Sequence, residues 1–241
     1  MSGEQVSDEW AGWRRRVDLE EFHQRWVRME ASGHAAHGEA DLIEAYRPAS
    51  VLDAGCGMGR VAIELSRRGI DVDGADLDDE LLAFARRDAP QLVWVSGDLA
   101  DVVLPRRYEL VALPGNVMMF CRASDRGPIV ANLARHLLPG GLLVAGFGLE
   151  QRADAITVGE YDAACVAEGL TLEARYATWQ RAPFEAGDYA VSVHRLPAEH
   201  RSGQPWRRIP SQVLPRSLFG GIAAQKPRRV RCGRCRRGGG R

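Results

Sequence analysis

Three glycines, Gly55, Gly57 and Gly59, stand at G-x-G-x-G spacing in the stretch VLDAGCGMG, residues 51–59, with Asp53 two positions before the first of them. Glycine reaches backbone angles closed to residues with a Cβ and lets a ligand press against bare main chain, so such a loop is shaped for contact. The dinucleotide fingerprint G-x-G-x-x-G would put its third glycine at position 60, which is Arg60. Asp76 lies about twenty residues past the first glycine, the offset at which a carboxylate at a strand tip accepts hydrogen bonds from ribose hydroxyls. A carboxylate suits a neutral diol and repels a 2′-phosphate. A third acid, Asp98, closes the run LVWVSGDLAD, residues 92–101. The chemistry on offer is the holding of a nucleoside-bearing ligand by main-chain N–H groups and carboxylates.

These residues need a scaffold that brings strand ends together. The apolar run Ser50–Leu52 enters the glycine loop and Arg60–Leu65 leaves it at helical spacing, which is strand, turn, helix. Gly69–Asp76 and Leu92–Asp98 read as second and third strands, each ending in its acid. Tyr108–Leu113 reads as a fourth strand and Asp125–Leu138 as a helix with Ile129, Leu133, His136 and Leu137 on one face. Acids and glycines at the carboxyl ends of successive strands converge on one crevice of an open α/β sheet.

VLDAGCGMG resembles motif I of the class I S-adenosylmethionine (SAM) methyltransferases, and the acids that follow are similar to that family's next two motifs. The resemblance continues to about residue 196. It implies an α/β fold: a Rossmann-like, doubly wound, mostly parallel seven-stranded sheet with helices on both faces, an antiparallel last strand and an N-terminal helical lid. Leu138–Gly141 would be a helix end and tight turn, with strand 5 following to Phe147. Thr157–Gly169 would be a helix with Tyr161, Cys165 and Val166 inward, and Leu170–Trp179 and Tyr189–Leu196 a closing antiparallel pair joined by a turn at Pro183–Gly187. The expected domains are a lid over 1–47, a SAM-binding core over 48–196 and a basic tail over 197–241.

The resemblance also implies site roles. Asp53, Gly55, Cys56, Gly57 and Gly59 would surround the methionine part of S-adenosyl-L-methionine, with Cys56 there for its size. Asp76 and Leu77 would meet ribose and adenine, Asp98 and Leu99 adenine, and Asn116, in Pro114–Phe120, the transfer point. Asp53 would either orient the loop through backbone N–H groups or help bind the SAM ammonium through water. Catalysis would consist mainly of aligning an acceptor with an already electrophilic methyl group and excluding water. Two alternatives stay open: a SAM-fold binding module without transfer, and a nucleotide-dependent oxidoreductase, which Arg60 and Asp98 disfavour.

At 241 residues and 45% hydrophobic content, the chain suffices for one sizeable core. No apolar run approaches the ~18–20 residues of a membrane span. Met1–Asp8 lacks an apolar signal-peptide core, and five cysteines without framework spacing fit reduced thiols, so a cytoplasmic location is expected. The neutral total hides a division. Residues 1–196 carry 20 Arg against 31 Asp plus Glu, whereas residues 197–241 carry 11 Arg, one Lys and a single Glu. An acidic core cannot follow a phosphate backbone, and Leu-Pro-Gly-Asn (113–116) lacks the Asp/Asn-Pro-Pro-aromatic tetrad of base-amino methyltransferases. A small-molecule acceptor is expected, without a metal.

The tail is expected to be disordered, for want of apolar residues to bury. Three readings stay open for it: an extension without function, a basic arm that binds nucleic acid or an acidic surface weakly, and a zinc site on Cys232 and Cys235, which lacks further ligands beyond His200. Toward the N-terminus, Leu19, Phe22, Trp26 and Met29 share one helical face, and Gly38–Tyr46 forms a second helix with Ala40, Ile43 and Tyr46 inward. Arg28, His34, His37 and Glu39 between them are candidates to hold the SAM carboxylate or act on substrate, a neutral His serving as base. Trp179, Arg181 and Phe184 are candidates to shape the acceptor pocket.

Overall fold

The computed structural model of the chain describes residues 6–32, 37–150 and 154–198. The chain divides into two units, Met1–Arg201 and Ser202–Arg241, and all described residues belong to the first. His34, His200, Cys232, Cys235 and nearly all of the expected tail lie outside the described residues.

Three helices precede the sheet: α1 (Asp8–Arg16), α2 (Leu19–Ala31) and α3 (Gly38–Ala45). Then follow β1 (Ser50–Ala54), α4 (Arg60–Arg67), β2 (Asp71–Asp76), α5 (Asp79–Asp88), β3 (Val93–Ser96), β4 (Tyr108–Leu113), α6 (Val117–Phe120), α7 (Ala123–Arg135), β5 (Leu137–Gly148), α8 (Val158–Ala167), β6 (Thr171–Tyr176) and β7 (Tyr189–Arg195). The seven strands form one sheet in the order β3-β2-β1-β4-β5-β7-β6. Neighbours from β3 through β5 are parallel, and β7 runs antiparallel to both β5 and β6. The expected doubly wound sheet is what forms.

Alternation along the central strands explains its two covered faces. In β4, Leu110 and Ala112 join Val51, Val72, Val144 and Val193 in a core beneath α3 and α4. Val111 and Leu113 join Leu52, Leu143 and Phe147 in a second core with Ile129, Val130 and Leu133 of α7 and Tyr161 and Cys165 of α8. The chain runs outward from β1 to β3 and returns to β4 beside β1, so the strand order reverses between β1 and β4. A crevice opens at the carboxyl ends of the strands at such a reversal.

Several local expectations need correction. Ser7 caps α1, a helix not anticipated from the polar start of the chain, with its Oγ accepting from the Trp10 amide at 3.0 Å. Helix α7 ends at Arg135 because His136 leaves helical geometry and Leu137 already pairs with Tyr108, so Leu137–Gly141 belongs to β5, with a register shift, and is not a separate turn. Val166 is 64% exposed, since it lies off the i, i+4 stripe that buries Tyr161 and Cys165. Tyr46, the C-cap of α3, packs half-buried against the first core as expected, and Leu42 joins Ala40 and Ile43 on the inward side.

Candidate functional site

The glycine loop is tied to β2 on both sides of its turn. The amides of Gly55 and Cys56 donate to the Ala75 carbonyl at 2.8 and 3.0 Å, and the Gly57 amide donates to Asp76 Oδ2 at 2.7 Å. Gly55 sits at φ +74°, and a Cβ there would come within 2.5 Å of Val117 Cγ2. Gly59 holds φ +82° with its Cβ position 2.5 Å from the Trp94 ring. These two glycines serve left-handed backbone and close approach together.

The acids are placed by the strand ends. Asp53 is buried, and its Oδ2 accepts from the Ala62 amide in the first turn of α4 at 3.0 Å. Its Oδ1 is buried without a hydrogen-bond partner. Burial pushes the Asp53 carboxyl up to about 7, with the neighbouring Asp76 charge adding to the shift. Burial likewise raises Asp76 to about 6, against the pull of the amides it binds, and its Oδ1 accepts from the Asp78 amide at 2.9 Å. Asp98 Oδ1 accepts from the Ala100 amide at 2.9 Å. That loop is braced by the buried Asn132, whose Nδ2 donates to the carbonyls of Leu99 and Val102 at 3.0 and 2.9 Å.

A cavity of about 530 Å³ opens over these groups. Its wall includes Asp53, Gly55, Cys56, Gly57, Asp76, Leu77, Asp98, Leu99 and Asn116. Gly59 lies outside this wall, packed on Trp94. Asn116 takes a left-handed conformation (φ +67°), and its Oδ1 accepts from the Gly148 amide at 2.9 Å, so what it offers a ligand is its amide nitrogen. The Cys56 thiol is held well above the usual range and Cys121 is pushed up to about 12, both by burial, so neither supplies a thiolate.

The far wall comes from the N-terminal helices. Ser7 Oγ donates to the Phe120 carbonyl, joining α1 to α6. Arg14 Nε donates to Asp78 Oδ2 at 3.0 Å, with a second contact to Glu80, joining α1 to α5. Arg60 pairs with Glu39 through both guanidinium nitrogens and stands 4.4 Å from the Trp26 ring centroid. Trp179 closes another side, its Nε1 donating to the Tyr189 hydroxyl at 3.0 Å.

Of the other candidates, Glu39 lines the cavity, while Arg28 is exposed and away from it. His37 lies 3.9 Å from Glu64 and is not in the wall. Arg181 belongs to the turn after Thr178, and Phe184 packs against the second core, so neither shapes the cavity. Sequence reasoning missed Ser7, Trp10, Trp13 and Asn132, and placed Phe120 only within the segment Pro114–Phe120. A signal existed for α1: a serine followed by Asp8 and Glu9 is a helix-start pattern, and Trp10 and Trp13 are spaced to share a face. Among the described residues, no cluster of His, Cys, Asp and Glu could hold a metal ion, and no helix is long and apolar enough to cross a membrane.

Comparison with known proteins gives a consistent result. A family model described as a methyltransferase domain matches residues 51–141. The crystal structure of a TehB-like SAM-dependent methyltransferase from Corynebacterium glutamicum is 38% identical, covering 73% of this chain and 96% of that one, with a TM-score of 0.66. A dTDP-3-amino-3,4,6-trideoxy-alpha-D-glucopyranose N,N-dimethyltransferase from Streptomyces venezuelae is 32% identical over 108 residues, 44% of this chain and 46% of its own length. The putative methyltransferase YqeM of Bacillus subtilis is 38% identical over 126 residues, 49% of this chain and 51% of its own. The chain thus spans about half the length of the curated relatives it matches.

Proposed function

The chain belongs to the family of SAM-dependent methyltransferases, and from that premise we propose that it binds SAM in the cavity above the glycine loop and transfers the methyl group to a small-molecule acceptor. One observation carries the reading most directly. Asp53, whose buried Oδ1 has no hydrogen-bond partner, borders the same cavity as Gly55, Gly57, Asp76 and Asp98. An orphaned carboxylate oxygen calls for a ligand donor, and a cationic or hydroxyl-bearing one answers it.

In this reading Asp53 and the Gly55–Gly57 main chain hold the methionine portion, Asp76 and Leu77 the ribose, and Asp98 and Leu99 the adenine. SAM supplies a methyl carbon made electrophilic by its sulfonium. The chain's own work is to orient and to exclude water. Asn116 would offer its amide nitrogen at the transfer point, and α1, fixed through Ser7 and Arg14, would cover the cavity together with α2. Residues 1–47 then act as a lid and 48–196 as the core, with the described lining of the cavity drawn from both. The unpaired thiols Cys56, Cys121 and Cys165 accord with a cytoplasmic setting.

The non-catalytic and oxidoreductase alternatives are disfavoured by the intact loop and acids and by Arg60 in place of the third dinucleotide glycine. The test is acceptor-dependent formation of S-adenosylhomocysteine from SAM by the purified chain. Formation with at least one acceptor supports transfer, and SAM binding with no product across a broad acceptor panel supports the binding module.

A further inference from the structure

Part of the cavity wall is a continuous run of rings from the N-terminal helices and α6. Phe120 meets Trp10 edge-on at 5.7 Å between centroids, Trp10 stacks on Trp13 at 4.9 Å, Trp13 meets Phe22 edge-on at 5.5 Å, and Phe22 meets Trp26 at 6.2 Å. All five line the cavity and all are only half-buried. Rings held edge and face against one another leave faces to be covered by an apolar, flat partner, and aromatic pairs gain beyond simple area burial.

Charge narrows the partner further. The cavity wall carries five acids, Glu39, Asp53, Asp76, Asp98 and Asp125, and two arginines. Each arginine is engaged by an acid, Arg60 by Glu39 and Arg122 by Asp125 at 2.7 Å. An anionic acceptor would have to compete with a carboxylate for either guanidinium.

We propose that the acceptor is a flat aromatic small molecule without negative charge, seated against Trp10, Trp13, Phe22 and Phe120. This rests on the SAM reading, and the experiment separates the two. The full-length chain is first titrated with S-adenosylhomocysteine, then, saturated with it, with quinoline and with quinoline-4-carboxylate, which keeps the ring and adds the charge. The expected result is measurable quinoline binding, with the carboxylate weaker by about tenfold or more. Trp13→Ala should weaken quinoline by about tenfold while S-adenosylhomocysteine affinity stays within about twofold, and Trp13→Phe should restore most of the loss. Phe22→Ala gives the same readout should Trp13→Ala fail to fold. Equal or tighter binding of the carboxylate overturns the proposal, as does S-adenosylhomocysteine binding without quinoline binding, or quinoline affinity indifferent to both variants. Absence of S-adenosylhomocysteine binding in a folded chain overturns the SAM reading itself.

Discussion

The Asp76 carboxylate accepts the Gly57 amide at 2.7 Å, so the tip of β2 and the glycine loop after β1 are one hydrogen-bonded unit. The second Asp76 oxygen takes the Asp78 amide, and Asp78 in turn caps α5 and receives Arg14 from α1. Two acids in series therefore couple loop, helix start and lid.

Asp76→Ala removes that junction and the acceptor expected to meet ribose. SAM affinity should fall by about 1.5–3 kcal/mol, the range for hydrogen bonds to a charged group. Calorimetric titration of a variant with native circular dichroism checks it, and unchanged affinity would remove Asp76 from the site.

Proton release on binding follows from the raised carboxyls. Burial holds Asp53 at about 7 and Asp76 at about 6, above the unfolded value of about 3.9. Between those values the folded, ligand-free chain keeps protons that the unfolded chain has lost. On their account stability falls as pH rises through roughly 4 to 7. Ligand donors favour the carboxylates, so SAM binding near pH 6.5 should release up to about one proton. Titrations in buffers of different ionisation enthalpy measure it, and a buffer-independent enthalpy would place the ligand donors elsewhere.

Asn132→Ala leaves the buried carbonyls of Leu99 and Val102 without their donor. The expected cost is about 1–3 kcal/mol of stability. Because the braced loop carries Asp98 and Leu99, SAM affinity should drop with it. A denaturant midpoint shift at constant slope, together with weaker binding, supports this bracing, and loss of stability with intact affinity confines Asn132 to the fold.

The sheet and its loop were legible because their signals are local. A strand that must alternate between two cores shows its period, and a left-handed loop position such as Gly55 shows its glycine. The far wall was less legible. Phe22 and Trp26 could be put on one helix face, yet their joining to Phe120 through Trp13 and Trp10 depends on the packing of α1 against α6 through Ser7 and the Phe120 carbonyl. Asn132 was invisible for the same reason: a polar residue in a helix reads as surface until the carbonyls it serves are placed. Val166 misled because an apolar residue next to a buried one looks inward unless the helical stripe is followed strictly.

The central claim is that this cavity binds SAM, and calorimetric titration of the full-length chain with SAM, S-adenosylhomocysteine and NADH tests it most directly. Micromolar binding of the first two and none of NADH is the predicted result. A folded chain that ignores both SAM-type ligands would contradict it.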